Sequence, residues 1–205
     1  MKKIVSGLLV VSLCVLTLST QAFSAAFTDV SDRYKAGVDY IVEMNYASGT
    51  SPTTFGTDAS IKRIDAAVMV ARTMGFNENT NAPASGFSDV PQDRAWAVNA
   101  LVAAGIVNGK LNGKYGSNDP MTRSEMAKVI ASAYGLEAKN STIPFTDVSK
   151  TFRPYVAALV ENGITSGKTA TNFGGSDNIK RGEFAIFIYK ADGLSKIPPE
   201  VETVE

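Results

Sequence analysis

The chain has 205 residues, 44% of them apolar, with 20 Lys+Arg against 20 Asp+Glu and a formal net charge of zero. That balance argues against nucleic-acid binding driven by bulk phosphate attraction and against a polybasic membrane-surface protein. The absence of histidine and the single cysteine exclude Ser-His-Asp and Cys-His catalysis, histidine-ligated metals, an internal disulfide and a thiolate zinc cluster.

Met1-Lys2-Lys3 precedes an uncharged stretch from Ile4 to Leu18 and the small-residue run Ser24-Ala25-Ala26. Charged, apolar and small-residue segments in that order predict a secretory signal peptide over 1–26, cleaved after Ala26. The apolar stretch is short for a membrane span, and Cys14 follows Leu13 rather than a small residue, so lipid anchoring is not expected. Cleavage would remove Lys2, Lys3 and Cys14, leaving a slightly acidic chain with no thiol and no membrane span.

From Phe27 onward the chain repeats itself three times. Phe27-Thr28-Asp29-Val30 recurs as Phe87-Ser88-Asp89-Val90 and Phe145-Thr146-Asp147-Val148, and the same register holds Gly49, Gly109 and Gly167, then Phe55, Tyr115 and Phe173, then Arg63, Arg123 and Arg181. The boundaries are 27–86, 87–144 and 145–194, with an acidic tail over 195–205 carrying Pro198-Pro199. Asn77–Gly86 and Glu137–Pro144 are the linkers.

Each unit reads as two helices around a polar loop. Val38, Ile41 and Val42 stand at helical spacing in the first helix, matched by Val98, Leu101 and Val102 and by Val156, Leu159 and Val160. In the second helix Met126, Val129, Ile130, Ala133 and Tyr134 form an apolar stripe, matched by Ala66, Met69, Val70, Thr73 and Met74, and by Phe184, Phe187, Ile188 and Ala191, where Asp192 breaks the pattern. Asn45, Gly105 and Gly163 are expected to end the first helices in a left-handed conformation, and Gly75, Gly135 and Gly193 the second. Thr122-x-x-Glu125 is a capping box; Lys62 and Lys180 stand in place of that Thr, so those two helix starts should be weaker by roughly 1 kcal/mol. Units of this size have little core of their own, so the three are expected to pack into a single, mostly helical body.

Arg63, Arg123 and Arg181 begin the second helix of every unit, where a cation is electrostatically disfavoured. Two readings are open. An anion completes a site made of guanidinium and helix N-terminus, or each arginine pairs with an acid of its own or a neighbouring unit. The loop pairs Ser48-Gly49, Asn108-Gly109 and Ser166-Gly167 either let backbone approach a ligand or make turns. The aromatics Phe55, Tyr115 and Phe173 read as buried plugs, and Trp96 as core rather than ligand. Asp29, Asp89 and Asp147 read as acceptors of backbone N–H groups around the entry to helix one. No loop has the ligand spacing of a calcium site; no metal and no cofactor are expected.

With these residues in place, the chain resembles the S-layer homology family, whose unit opens with Phe-x-Asp-Val, carries a Gly-Ile-Val-x-Gly loop and ends in Ile-Thr-Arg-Ala-Glu. Here the loop reads Gly105-Ile106-Val107-Asn108-Gly109 and Gly163-Ile164-Thr165-Ser166-Gly167, diverging to Asn45-Tyr46-Ala47-Ser48-Gly49. The last motif reads Met121-Thr122-Arg123-Ser124-Glu125, Ile179-Lys180-Arg181-Gly182-Glu183 and Ile61-Lys62-Arg63-Ile64-Asp65. The resemblance implies a pseudo-threefold helical bundle, secreted to the cell wall, whose grooves bind a pyruvylated secondary cell-wall polysaccharide. Peptidoglycan is the alternative polymer, and there is room for a surface-protein partner. The family's motif arginine reads the pyruvyl carboxylate, which maps onto Arg63, Arg123 and Arg181, with Ser48, Gly49, Asn108, Gly109, Ser166 and Gly167 in the groove loops. Because the first unit departs in both motifs, its groove and Arg63 are expected to contribute least. The short tail suggests an anchor with nothing attached. A self-assembling surface coat is the alternative function, and a wall-acting glycosidase built on paired carboxylates is the distant third, since the repeated acids look structural.

Overall fold

The computed structural model describes residues 27–195; the expected signal peptide over 1–26 and the tail beyond Ser195 lie outside the described residues. Six α-helices are found there: α1 (Asp32–Glu43), α2 (Arg63–Thr73), α3 (Ala95–Ala103), α4 (Arg123–Ala133), α5 (Arg153–Glu161) and α6 (Arg181–Ser195). Two helices per repeat follow from the apolar spacing: Val38, Ile41, Val98, Leu101, Val156 and Leu159 are completely or almost completely buried. None of the helices is long and apolar enough to cross a membrane.

The helix ends carry the expected chemistry at five of six positions. Asn45, Gly105 and Gly163 adopt positive φ of 59°, 72° and 70°, and the amides of Tyr46, Ile106 and Ile164 turn back to the carbonyls of Ile41, Leu101 and Leu159. Gly75 and Gly135 end α2 and α4 in the same way, with Phe76 and Leu136 folded back onto the last turn. Gly193 does not: α6 runs through it to Ser195. There Asp192 is buried and accepts hydrogen bonds from the hydroxyls of Tyr40 and Tyr46. That polar anchor on α1 holds the helix past a residue that elsewhere stops it. The Thr122–Glu125 capping box is present in full at α4, and neither Lys62 nor Lys180 caps its helix by side chain. Instead Lys62 reaches Asn118 at 3.2 Å and Lys180 reaches Asp58 at 2.7 Å, each in a neighbouring repeat.

The repeats are joined by a ring of main-chain bonds. Ile61 donates to the carbonyl of Ile179, Ile179 to that of Met121, and Met121 to that of Ile61, at 2.9–3.0 Å; all three side chains are buried. Bridges Ser60↔Lys180, Lys62↔Pro120 and Thr122↔Asn178 flank them. Helix pairing runs in the same cycle, α2 on α3, α4 on α5 and α6 on α1, with α6 also touching α2 and α4. The α1–α6 pair, which joins the first repeat to the third, packs closely at Gly37, where a Cβ would lie 3.0 Å from the Ile186 backbone.

Within each repeat the opening aspartate accepts backbone amides, but not at the entry to helix one. Asp29 receives Phe55, Gly56 and Thr57; Asp89 receives Tyr115, Gly116 and Ser117; Asp147 receives Phe173, Gly174 and Gly175, all at 2.6–3.0 Å. Each therefore ties the start of its repeat to the loop before the second helix, 26–28 residues onward. Desolvation alone would raise these carboxyl pKa values; the backbone hydrogen bonds outweigh it and hold all three below the ordinary 3.8. A depressed folded-state pKa gives stability that is present above the unfolded value and lost as pH falls through the folded one. Denaturation midpoints should thus hold steady at neutral pH and fall once the pH drops below about 4. Asp89→Asn should cost about 1–3 kcal/mol at pH 7 and flatten that acid limb, measured by urea unfolding across the pH range.

Candidate functional site

The arginine that begins each second helix leaves its own repeat. Arg63 is buried, donates through Nε to the Tyr115 carbonyl at 3.1 Å and through Nη2 to the Asn108 carbonyl at 3.3 Å, and stacks 4.8 Å from the Tyr115 ring centroid. Its Nη1 meets Glu125 at 3.1 Å. Arg181 treats the first repeat likewise: Nε to the Phe55 carbonyl at 3.1 Å, Nη2 to the Ser48 carbonyl at 2.9 Å, and the guanidinium 4.7 Å from the Phe55 ring. Arg123 reaches the third repeat, 5.0 Å from the Phe173 ring and 4.9 Å from Phe187, with Nη1 3.6 Å from Glu183. Motif arginine and loop of one repeat therefore do not meet. Arg63 serves the loop of the second repeat, Arg123 the third and Arg181 the first.

Three surface grooves result, each built by all three repeats. Groove I, about 300 Å³, brings Arg181 to Tyr46, Ala47, Ser48 and Asp65, with Arg94 and Trp96 from α3 and its lead-in. Groove II, about 160 Å³, joins Arg63 to Asn108, Gly109, Lys110, Glu125 and Lys128, with Phe152 ahead of α5. Groove III, about 400 Å³, joins Arg123 to Gly167, Lys168, Lys180 and Glu183, with Arg33 and Tyr34 of α1. Arg63 thus enters the groove of the well-matched second-repeat loop rather than that of its own divergent repeat.

Of the two readings of the arginines, ion pairing with an acid of a neighbouring repeat is realised for Arg63 and Arg123. Arg63 is a structural ion pair with Glu125, while Asp65, the counterpart acid in groove I, is held by Arg94 rather than by Arg181. Burial lowers the Arg123 and Arg181 pKa values from their ordinary position, with Glu183 and Asp65 respectively opposing the shift. The helix N-termini are not open to an anion. The first two amides of α2 donate to Asp119 and Ser117, those of α4 to Asp177 and Gly175, and those of α6 to Ala59 and Thr57. Backbone carbonyls of the next repeat occupy these donors, and they also offset the cost of placing a cation there.

The loop glycines have a packing reason. A Cβ on Gly49, Gly109 or Gly167 would strike the ring of Phe27, Phe87 or Phe145, and those rings in turn stack on Phe55, Tyr115 and Phe173 with centroids 5.6–5.9 Å apart. The latter three are completely buried, so they plug the loop and offer only an edge of carbonyls to the groove; burial pushes the Tyr115 hydroxyl up to about 12, against the opposing charge of Arg63. Trp96 packs on the core but also lines groove I, 5.9 Å from the Arg72 guanidinium. Arg33, Arg72 and Arg94 line grooves as well, and no repeat register signals them because they share none.

Three segments match the S-layer homology domain, at residues 26–67, 86–127 and 144–185. The chain is 26% identical over its full length to an S-layer protein of Bacillus thuringiensis subsp. finitimus, spanning 26% of that protein. It is 28% identical over 69% of its length to a surface-layer 125 kDa protein of Lysinibacillus sphaericus, spanning 12% of it. An uncharacterised cell wall amidase of Bacillus anthracis is 28% identical over 68% of this chain, which spans 26% of that relative. The chain thus spans about a quarter or less of the length of these relatives.

Arg63→Ala, which removes two carbonyl bonds and a largely buried ion pair, should destabilise the ligand-free protein by about 2–4 kcal/mol, read from chemical denaturation. Gly109→Ala should cost about 1–3 kcal/mol by overpacking against Phe87.

Proposed function

This chain belongs to the S-layer homology family, and on that premise we propose that it is a non-catalytic module that holds to the cell wall by binding a secondary cell-wall polysaccharide in its composite grooves. The observation that carries the reading is the threefold recurrence of a cation delivered by one repeat into an aromatic-backed loop of the next. A polymer with repeated carboxylates, as in pyruvate ketals, suits three such cations spaced around one body. The acids at 65, 125 and 183 lie within ion-pair reach of groove arginines, which leaves them poorly placed as a free acid–base pair and favours binding over hydrolysis. The family and its relatives place the protein at the cell surface.

Because each groove needs all three repeats, ligand can bind only the closed, folded body, and binding must stabilise it. The intact chain should co-sediment with wall sacculi, and saturating wall polysaccharide should raise its melting temperature by about 5–10 °C. Failure to sediment, with an unchanged melting temperature, would defeat the proposal; release of soluble wall fragments would turn it toward hydrolysis.

A further inference from the structure

One cavity belongs to none of the three grooves. It measures about 420 Å³ and lies between the end of α4, the linker that follows and the first turn of α5. Ala131, Leu136, Ala138, Pro154 and Tyr155 give it an apolar floor; Leu136, Ala138 and Tyr155 are partly buried and packed against the core. The linker wall is pinned to α5. There the Lys139 amide donates to the Glu161 carboxylate at 3.0 Å, and the Asn162 side chain donates to the Glu137 carbonyl at 3.2 Å. The cavity is therefore preformed, and its size falls within the roughly 300–1,000 Å³ usual for ligand pockets.

The junction between the first two repeats shows what forms it. The register that aligns Arg63 with Arg123 also aligns Arg72 with Ser132 and Glu78 with Ala138, and that of Val98 with Val156 aligns Trp96 with Pro154. Between α2 and α3 the indole of Trp96 packs against the core. The Arg72 guanidinium lies 5.9 Å from its ring centroid and is paired to Glu78 at 3.2 Å. Between α4 and α5 all three side chains are smaller, and the space they leave is the cavity. Ser132 and Ser141 bring hydroxyls to its wall, and exposed Glu137 is the one charged residue of the lining among the described residues.

We infer that this cavity is a docking site for a partner polypeptide that inserts an indole side chain with a lysine or arginine beside it. The partner supplies from outside what Trp96 and Arg72 supply within the chain at the sister junction. An indole matches the apolar floor and can give its N–H to either serine hydroxyl, while the neighbouring cation meets Glu137. Aromatic anchors in such pockets carry much of the energy of protein interfaces. A sugar would instead turn many of its hydroxyls toward alanine, leucine and proline side chains, which is costly. The site uses none of the motif arginines, so it stands apart from the wall-polysaccharide reading.

The test is a nuclear magnetic resonance titration of the intact chain with three capped peptides: acetyl-Lys-Trp-Lys-amide, acetyl-Ser-Trp-Ser-amide and acetyl-Ser-Ala-Ser-amide. Both tryptophan peptides should shift the amides of Ser132, Ala138 and Tyr155 before any signal at Ser48, Asn108 or Ser166, saturating in the millimolar range; the alanine peptide should not. The lysine peptide should bind about threefold more tightly than its serine counterpart, and Glu137→Gln should remove that difference. Pro154→Trp, which transplants the filler of the sister junction, should abolish binding and raise the denaturation midpoint. Ser141→Trp, at an exposed position, makes the same binding test if that variant folds poorly. Sedimentation with wall sacculi should be the same for both variants and the parent. Tryptophan peptides that shift nothing in the cavity, or that still bind the filled variants, would overturn the site. Equal affinity for the two tryptophan peptides would overturn the cation requirement. Shifts of the same amides by wall oligosaccharide at lower concentration would make the cavity a sugar subsite instead. A parent chain that takes the peptides as described yet fails to sediment would defeat the wall-polysaccharide reading and leave the docking site standing.

Discussion

The segment just ahead of each second helix is the joint on which the molecule depends. Ile61, Met121 and Ile179 each give one amide and one carbonyl to the other two, so the three repeats close on one another through main-chain bonds that, of the ordinary substitutions, only proline would remove. The next residues carry this outward: the first amides of α2, α4 and α6 are satisfied by carbonyls of the adjoining repeat. A repeat taken alone would leave those donors unmet and its second helix half exposed. Cohesion without a single disulfide in 27–195 comes from this mutual completion together with the packing of α6 against α1, α2 and α4.

The same joint builds the grooves. Once the residue two before Arg63, Arg123 or Arg181 is fixed in the ring, the guanidinium is carried over the neighbour's aromatic plug, and the neighbour's Asp89, Asp147 or Asp29, respectively, holds the loop that receives it. Structure and recognition are not separable in grooves I and II, where the arginine staples the loop it would read. In groove III the loop-carbonyl bonds from Nε are absent, and Arg123 is held by two rings and by Glu183 at 3.6 Å. Divergence among repeats therefore gives three differently lined grooves on one scaffold. One register position shows it: Arg33 lines groove III and Asp93 lines groove I.

Much of this was legible in the residues. The repeat register, the six helices, the capping box at Thr122 and the left-handed Asn45 all follow from spacing and local backbone chemistry, which act within a few residues. What the sequence concealed lies between repeats. Register aligns Arg63 with Gly49, yet in space Arg63 meets Gly109's loop, because nothing in a one-dimensional repeat says whether a motif closes on its own unit or the next. The lysines at 62 and 180 were the available signal. Each gives up a helix cap, which makes sense only if it reaches a partner elsewhere, and both do so across a repeat boundary. Gly193 misled for a related reason: its local chemistry says stop, and a buried contact from Asp192 to α1 overrides it.

In the proposed function, carboxylate recognition by these arginines holds the protein to the wall. It is tested most directly by measuring binding of the intact chain to purified wall polysaccharide before and after mild-acid removal of pyruvate. Affinity should fall at least tenfold on depyruvylation, with the sugar backbone left intact. Equal affinity for the two polymers would contradict it and leave the grooves reading the glycan alone.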